Sequence, residues 1–296
     1  QVRSRYLDST EDKRYKLKDS FNTQRKIRDY FAENNDIENA ELICVGLMNL
    51  VDDVLFIEDP VEKGKYHPRI SAQNTYIYRS LNEYERWCFN RLYEDFFYHR
   101  HNDFWYEKAM WKLPLLIAST DMLACAEDLG MIPACVPDVM HRLQILSLEI
   151  QRMPKEFGVD FDNTLKYPYY SVCTTSTHDM GGIRQWWEDD RNRAQKYYNE
   201  VLRENGVATA GAEPQICRSI IDLHLQSPAM LCILPLQDWL SIDGKIRRDD
   251  PREEQINEPS NPRHYWCYRM HLTVGQLADS ENFNTTLRDM IKKSGR

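Results

Sequence analysis

No apolar run in the 296 residues approaches the ~20 needed for a membrane-spanning helix, and no signal peptide opens the chain. No two of the eight cysteines (44, 88, 125, 135, 173, 217, 232 and 267) have the C-x-x-C spacing of a zinc or redox site. Several sit in apolar runs, such as Cys125 in MLACA and Cys232 in MLCIL, and read as buried free thiols of a reducing cytoplasm. Neither G-x-G-x-x-G nor G-x-x-x-x-G-K occurs, which disfavours nucleotide binding. There is no G-x-S-x-G elbow for a serine hydrolase and no H-E-x-x-H for zinc. Positive charge is not in excess. The net charge of −8 argues against a nucleic-acid binder and a polybasic membrane anchor, and leaves a neutral polar substrate such as a sugar open. Repeats and low-complexity tracts are also absent. What is present, 42% hydrophobic and 28% charged residues, excludes disorder for most of the chain. The length allows one large domain or two modest ones. The first residue is Gln1, so the expectation is a piece of something longer.

The first part reads as helical. Residues 19–34 carry a sparse apolar stripe, and 36–51 align Ile37, Ala40, Cys44, Leu47 and Val51 on one face. A short strand, 54–57, stands apart from any other, and 61–78 read as loop, with Gly64, Pro68 and Asn74 as breakers. A capping box, Ser80-x-x-Glu83, opens a long helix with Leu81, Tyr84, Cys88, Leu92 and Phe96 in register. A second helix is expected from Asp103 to about Ile117. From residue 120 the rhythm changes. Four apolar runs (122–126, 145–151, 170–175 and 230–236) alternate with helical segments at 134–143, 182–203 and 214–226. This is the β-α-β-α pattern of a parallel sheet.

Each run ends in polar chemistry: Glu127-Asp128-Leu129-Gly130, then Glu149, Gln151 and Arg152, then Ser176-Thr177-His178-Asp179, then Gln237-Asp238. Charged groups at successive strand ends are where a (β/α)8 barrel builds its site, and an open doubly wound sheet also binds there. Partial burial of Glu127 at a core rim would suit a general acid, although a salt bridge or helix cap explains a lone carboxylate as well. Two carboxylates, Glu127 and Asp179, at the ends of separate parallel strands converge on one mouth. Glycosidic-bond chemistry needs two or three such groups: one to protonate the leaving oxygen, one to attack carbon, one to steady the oxocarbenium-like transition state. His178 could hydrogen-bond sugar hydroxyls. Trp186, Trp187 and Trp266 could stack on sugars or pack in a core, with nothing in the sequence to decide.

At AEDLG (126–130) and TSTHD (175–179) the sequence resembles the amylomaltases, or disproportionating enzymes, 4-α-glucanotransferases on a (β/α)8 barrel. MLACAEDLGMIPACV is similar to the family's G-E-D-L-G strand end, TTSTHDM to its T-G-T-H-D strand end, and PLQD (235–238) to its last-strand motif. Ile256-Asn257-Glu258-Pro259 followed by His264-Tyr265-Trp266-Cys267-Tyr268-Arg269 resembles its closing segment. The wider text is similar to the long plant cytosolic and bacterial type, from about residue 40 onward. The resemblance implies Glu127 as acid/base and Asp179 as transition-state stabiliser. It implies His178, Asp128, Gln151 and Asn257 as substrate contacts. It implies no cofactor and no metal, a cytoplasmic location, and maltose, maltodextrins or a glycogen-like glucan as partners. Ala126, Met180 and Gln151-Arg152-Met153 depart from the family's usual residues. So does the absence of the R-x-D-H strand end that bears the family's nucleophile.

The expectation is therefore an α/β chain. Residues 1–118 form a helical insertion with a short strand. Residues 119–296 form about four βα units, the C-terminal half of a barrel, with the nucleophile outside this chain. Such a half exposes strand edges and should pair with the missing N-terminal half or with itself. A glucan hydrolase or a non-catalytic glucan-binding fragment are the other readings. Product analysis separates transfer from hydrolysis.

Overall fold

The computed structural model describes residues 2–11, 14–34, 36–130 and 132–296; Gln1 and Met131 of the AEDLGM motif lie outside them. The chain divides into two units, 1–102 and 103–296, each with its own core. The boundary expected at 118/119 falls later than this division, at the end of the helix His101–Ala118.

In the first unit, helices Gln24–Glu33 and Ala40–Asp52 enclose Tyr6, Phe21, Ile27, Phe31 and Leu47. Thr23 caps the first of them by accepting the Lys26 N–H. The strand expected at 54–57 is β3 of two small antiparallel pairs: β1 (Leu7–Ser9) with β2 (Tyr15–Leu17), and β3 (Phe56–Glu58) with β4 (Tyr66–Pro68). The segment 61–78 is thus not all loop. The β3–β4 hairpin turns at Gly64, whose φ of +82° favours glycine, and Asp59 Oδ1 accepts the Val61 and Glu62 N–H groups. Three-residue strands are too short to show alternation in sequence. The capping box also lies two residues further on. Asn82 and Glu85 make both bonds and open helix Glu83–Glu94. The Ser80 hydroxyl instead donates to Ile77 O and closes the preceding turn.

The second unit is α/β. β5 (Ser147–Ile150), β6 (Ser171–Thr174) and β7 (Leu231–Cys232) form a parallel sheet in sequence order, with Leu148, Val172 and Leu231 in register. The first expected strand is present as one parallel bridge, Cys125 to Leu146, made by Ala126 N–H to Leu146 O and Leu146 N–H to Ala124 O. Among the described residues its bridge partner is Leu146, the residue just before β5. The fourth run is strand only at 231–232, and Leu236 opens a helix, Leu236–Leu240.

Helices Val136–Leu143, Ile183–Asp189, Arg191–Glu200 and Pro214–Leu225 follow the strands. The single helix expected at 182–203 is broken at Asp190, whose side chain accepts the Arg193 N–H and caps the second piece. Behind the sheet lies the main core, with Ile183, Trp187, Tyr197, Cys217, Ile221 and Leu240 in it. The amphipathic helix Glu281–Ser294, not foreseen from sequence, adds Phe283 and Met290 to that core. Cys173 is buried against Tyr167 and Ala229 on this side. The opposite face of the sheet, with Leu148, Val172 and Ile233, lines an open cleft, and Ile233 is 59% exposed. All eight cysteines are free thiols.

Candidate active site

The cleft has a volume of about 620 Å³. Glu127 enters it from the end of the 124–126 strand; Thr177, His178, Asp179 and Met180 enter from the loop after β6. Glu127 and Asp179 are its only carboxylates among the described residues. Its floor is the apolar sheet face. The two groups that sequence brought together on separate strands thus share one opening. Glu127 is exposed rather than partly buried, since among the described residues no element covers the cleft side of that strand end.

Asp179 accepts a hydrogen bond from Asn257 Nδ2 at 2.6 Å, and His178 Nε2 lies 3.4 Å from its other carboxylate oxygen. The His178 ring stands 5.1 Å from that of Trp266, which is 56% exposed. His178, Asp179, Asn257 and Trp266, spread over 89 positions of sequence, therefore form one cluster. Trp187, by contrast, is fully buried and donates Nε1–H to Thr209 O. Trp186 packs against Phe161 and lies under the Arg152 guanidinium at 5.0 Å. Both are core residues.

Asp128 and Gln151 do not line the cleft. Asp128 is buried, accepts Leu148 N–H at 2.9 Å and pairs with Lys155 Nζ at 2.7 Å. Gln151 is buried with its amide donating to Asp162 O and its oxygen accepting from Tyr197 OH. The other strand-end charges also turn inward. Arg152 is buried, and burial pulls its pKa down to about 10, so it stays charged near neutrality. Its guanidinium donates to Thr175 O at 2.9 Å and Gly181 O at 3.1 Å. Asp238, 1% exposed, accepts from the Thr175 hydroxyl (2.6 Å), the Ser176 hydroxyl (2.6 Å) and the Ile183 N–H (2.8 Å). Gly182 allows this approach, because a Cβ there would come within 2.7 Å of Asp238 Oδ1. Arg152 and Asp238 thus grip both ends of the loop that presents His178 and Asp179. Sequence marked both as strand-end charges. The signal for their inward role was the run of Thr175, Ser176 and Gly182, donors and a bare backbone that a buried carboxylate can use.

The 4-alpha-glucanotransferase model of glycoside hydrolase family 77 matches residues 71–273. The chain belongs to this family. A 4-alpha-glucanotransferase of rice, DPE2, is 34% identical over the whole chain, which covers 32% of that protein. The 4-alpha-glucanotransferase of Chlamydia pneumoniae is 28% identical over 60% of the chain, covering 34% of that protein. An amylomaltase from Streptococcus agalactiae, solved with acarbose, matches 62% of the chain and 35% of its own at 19% identity and a TM-score of 0.48. The chain spans about a third of the length of the curated relatives it matches. Among the described residues no three His, Cys, Asp or Glu side chains converge as metal ligands, and no helix is long and apolar enough to cross a membrane.

Proposed function

We propose that the chain supplies two of the three catalytic carboxylates of a retaining 4-alpha-glucanotransferase, as the C-terminal part of its catalytic domain. The observation that carries the reading is the entry of Glu127 and Asp179 into one cleft from the carboxyl ends of parallel strands. Family membership supports the reaction class. In this reading a carboxylate from outside the chain attacks the anomeric carbon while Glu127 protonates the departing glucan oxygen. A covalent glycosyl intermediate remains, and Glu127 then removes the proton of an incoming sugar hydroxyl. Asp179 stabilises the positive charge that builds on the sugar ring in both steps. Asn257 orients Asp179 through its amide, and His178 beside Trp266 offers a hydrogen-bond and stacking edge for the sugar. No cofactor takes part, because the bond broken and the bond formed are of the same kind.

The barrel is part of the same proposal. Among the described residues of the second unit the strands pair in sequence order, all parallel, as successive strands of a barrel do. A parallel sheet is normally covered on both faces, yet Leu148, Val172 and Ile233 open on the cleft. Both edge strands are short, one bridge at Cys125 and two residues at Leu231–Cys232. The missing N-terminal half of a (β/α)8 barrel would close that face and bring the nucleophile to it; self-association is the other way to cover it. Maltose, maltodextrins or a glycogen-like glucan are the proposed substrates, and eight free thiols support a cytoplasmic setting. The test is Glu127→Gln in the full-length protein, with maltotriose as donor and acceptor. Loss of longer maltodextrins and of released glucose, by at least about 10³-fold, is expected; turnover at the parental rate would remove Glu127 from its role.

A further inference from the structure

The strand that ends at Glu127 is held by a side chain where a backbone rung would otherwise come. Its ladder runs to Leu146, the residue just before β5, through Leu146 N–H to Ala124 O and Ala126 N–H to Leu146 O, both at 2.9 Å. In a regular parallel ladder the next donor, Leu148 N–H, would reach the carbonyl of residue 126. It donates instead to Asp128 Oδ1 at 2.9 Å. Glu127 therefore lies between two anchored neighbours, Ala126 by its main chain and Asp128 by its carboxylate. Its own side chain is left to the cleft.

Asp128 is 6% exposed, and a buried carboxylate needs compensation. Lys155 provides it. Its Nζ stands 2.7 Å from Asp128 Oδ2 and 2.8 Å from Glu149 Oε1. Glu149 is itself buried and also accepts from the Ser147 hydroxyl at 2.6 Å. One ammonium thus balances two carboxylates, one on the Glu127 segment and one on β5. Without it, two buried carboxylates are left with no cation between them. Relief comes from one of them taking up a proton, which weakens Asp128 as an acceptor for Leu148 N–H, and from the segment 126–130 moving away from β5.

We infer that Lys155 is a positioning residue for catalysis: through Asp128 it locks the strand end that presents Glu127 to the cleft. The inference rests on the acid/base role of Glu127 proposed above. It also gives Asp128 a bracing role in place of a substrate contact.

The test uses the full-length protein with Lys155→Met, Lys155→Arg and the pair Asp128→Asn/Lys155→Met, which keeps an acceptor for Leu148 N–H but removes one charge. A misplacement of about 1 Å costs on the order of 10²-fold in rate. Lys155→Met should therefore lower kcat for glucan transfer about 10²-fold with KM within about twofold. Lys155→Arg should restore most of it, and the double variant should be faster than Lys155→Met. Amide exchange in peptides spanning 124–130 should rise about tenfold in Lys155→Met while the rest of the sheet stays protected. Parental kcat in folded Lys155→Met, or a rise in KM with kcat unchanged, overturns the inference. So does unchanged exchange at 124–130. An unmodified protein that transfers no glucan at all would sink the proposed function instead, and the exchange data would still decide whether the clamp exists.

Discussion

On the cleft side of the parallel sheet, Glu127, His178 and Asp179 are exposed and make few bonds within the chain. Arg152 and Asp238, at the ends of the apolar runs 145–151 and 230–236, are sealed in the interior, and each binds several groups of the loop they hold. The same strand ends therefore send charge in two directions. Outward groups are free to meet a substrate. Inward groups spend their hydrogen bonds on fixing where the outward ones stand. A charge at the end of a strand is in itself no sign of catalysis; what distinguishes the two sets is whether their bonding capacity is already used.

The largest expected effects separate these sets. Asp179→Asn should lower transfer by about 10³-fold, or ~4 kcal/mol of barrier, with the melting temperature unchanged. Asp238→Ala should do the reverse in origin. It strands two buried hydroxyls and a buried N–H, and should cost about 3–5 kcal/mol of folding stability by denaturant titration. An Asp238→Ala protein as stable as its parent would break the comparison. So would an Asp179→Asn protein that unfolds early.

A smaller effect sharpens it further. Burial pushes the pKa of His224 down to about 4 from 6.5, with Nδ1 2.8 Å from Ile220 O. The folded protein keeps this ring neutral, whereas the unfolded chain takes up a proton below 6.5. Stability is thus intact above that pH and is lost as pH falls through the window toward 4. By about pH 5 the loss should be ~2 kcal/mol, and His224→Gln should flatten that slope. An equal acid slope in the variant would show that the interior side does not depend on a neutral His224.

Glu127 and Asp179 were legible as strand-end carboxylates because they close the apolar runs 122–126 and 170–175, and as a pair because AEDLG and TSTHD resemble the family's motifs. Asn257 came from the family pattern, and its bond to Asp179 adds a reason for it. The direction of Asp128, Gln151, Arg152 and Asp238 was not legible. Beyond the last ladder pair the period-2 alternation ends, and a turn of one residue reverses a side chain. The capping box was misplaced because Ser80 and Asn82 both precede a glutamate by three positions. The reciprocal Asn82–Glu85 bonds and the bond from the Ser80 hydroxyl to Ile77 O decide between them. The helix Glu281–Ser294 is polar on one side and sparse in apolar residues, so its stripe of Phe283, Leu287 and Met290 shows only once the core it covers is in place.

The central claim is that this chain holds Glu127 and Asp179 but not the nucleophile. Its most direct test is the chain exactly as long as 296 residues, incubated with maltotriose or with maltose and glycogen, its products followed by chromatography. The account predicts no turnover, restored when the preceding segment of the full-length protein is added. Turnover by the chain alone would place a nucleophile within these residues and contradict the account.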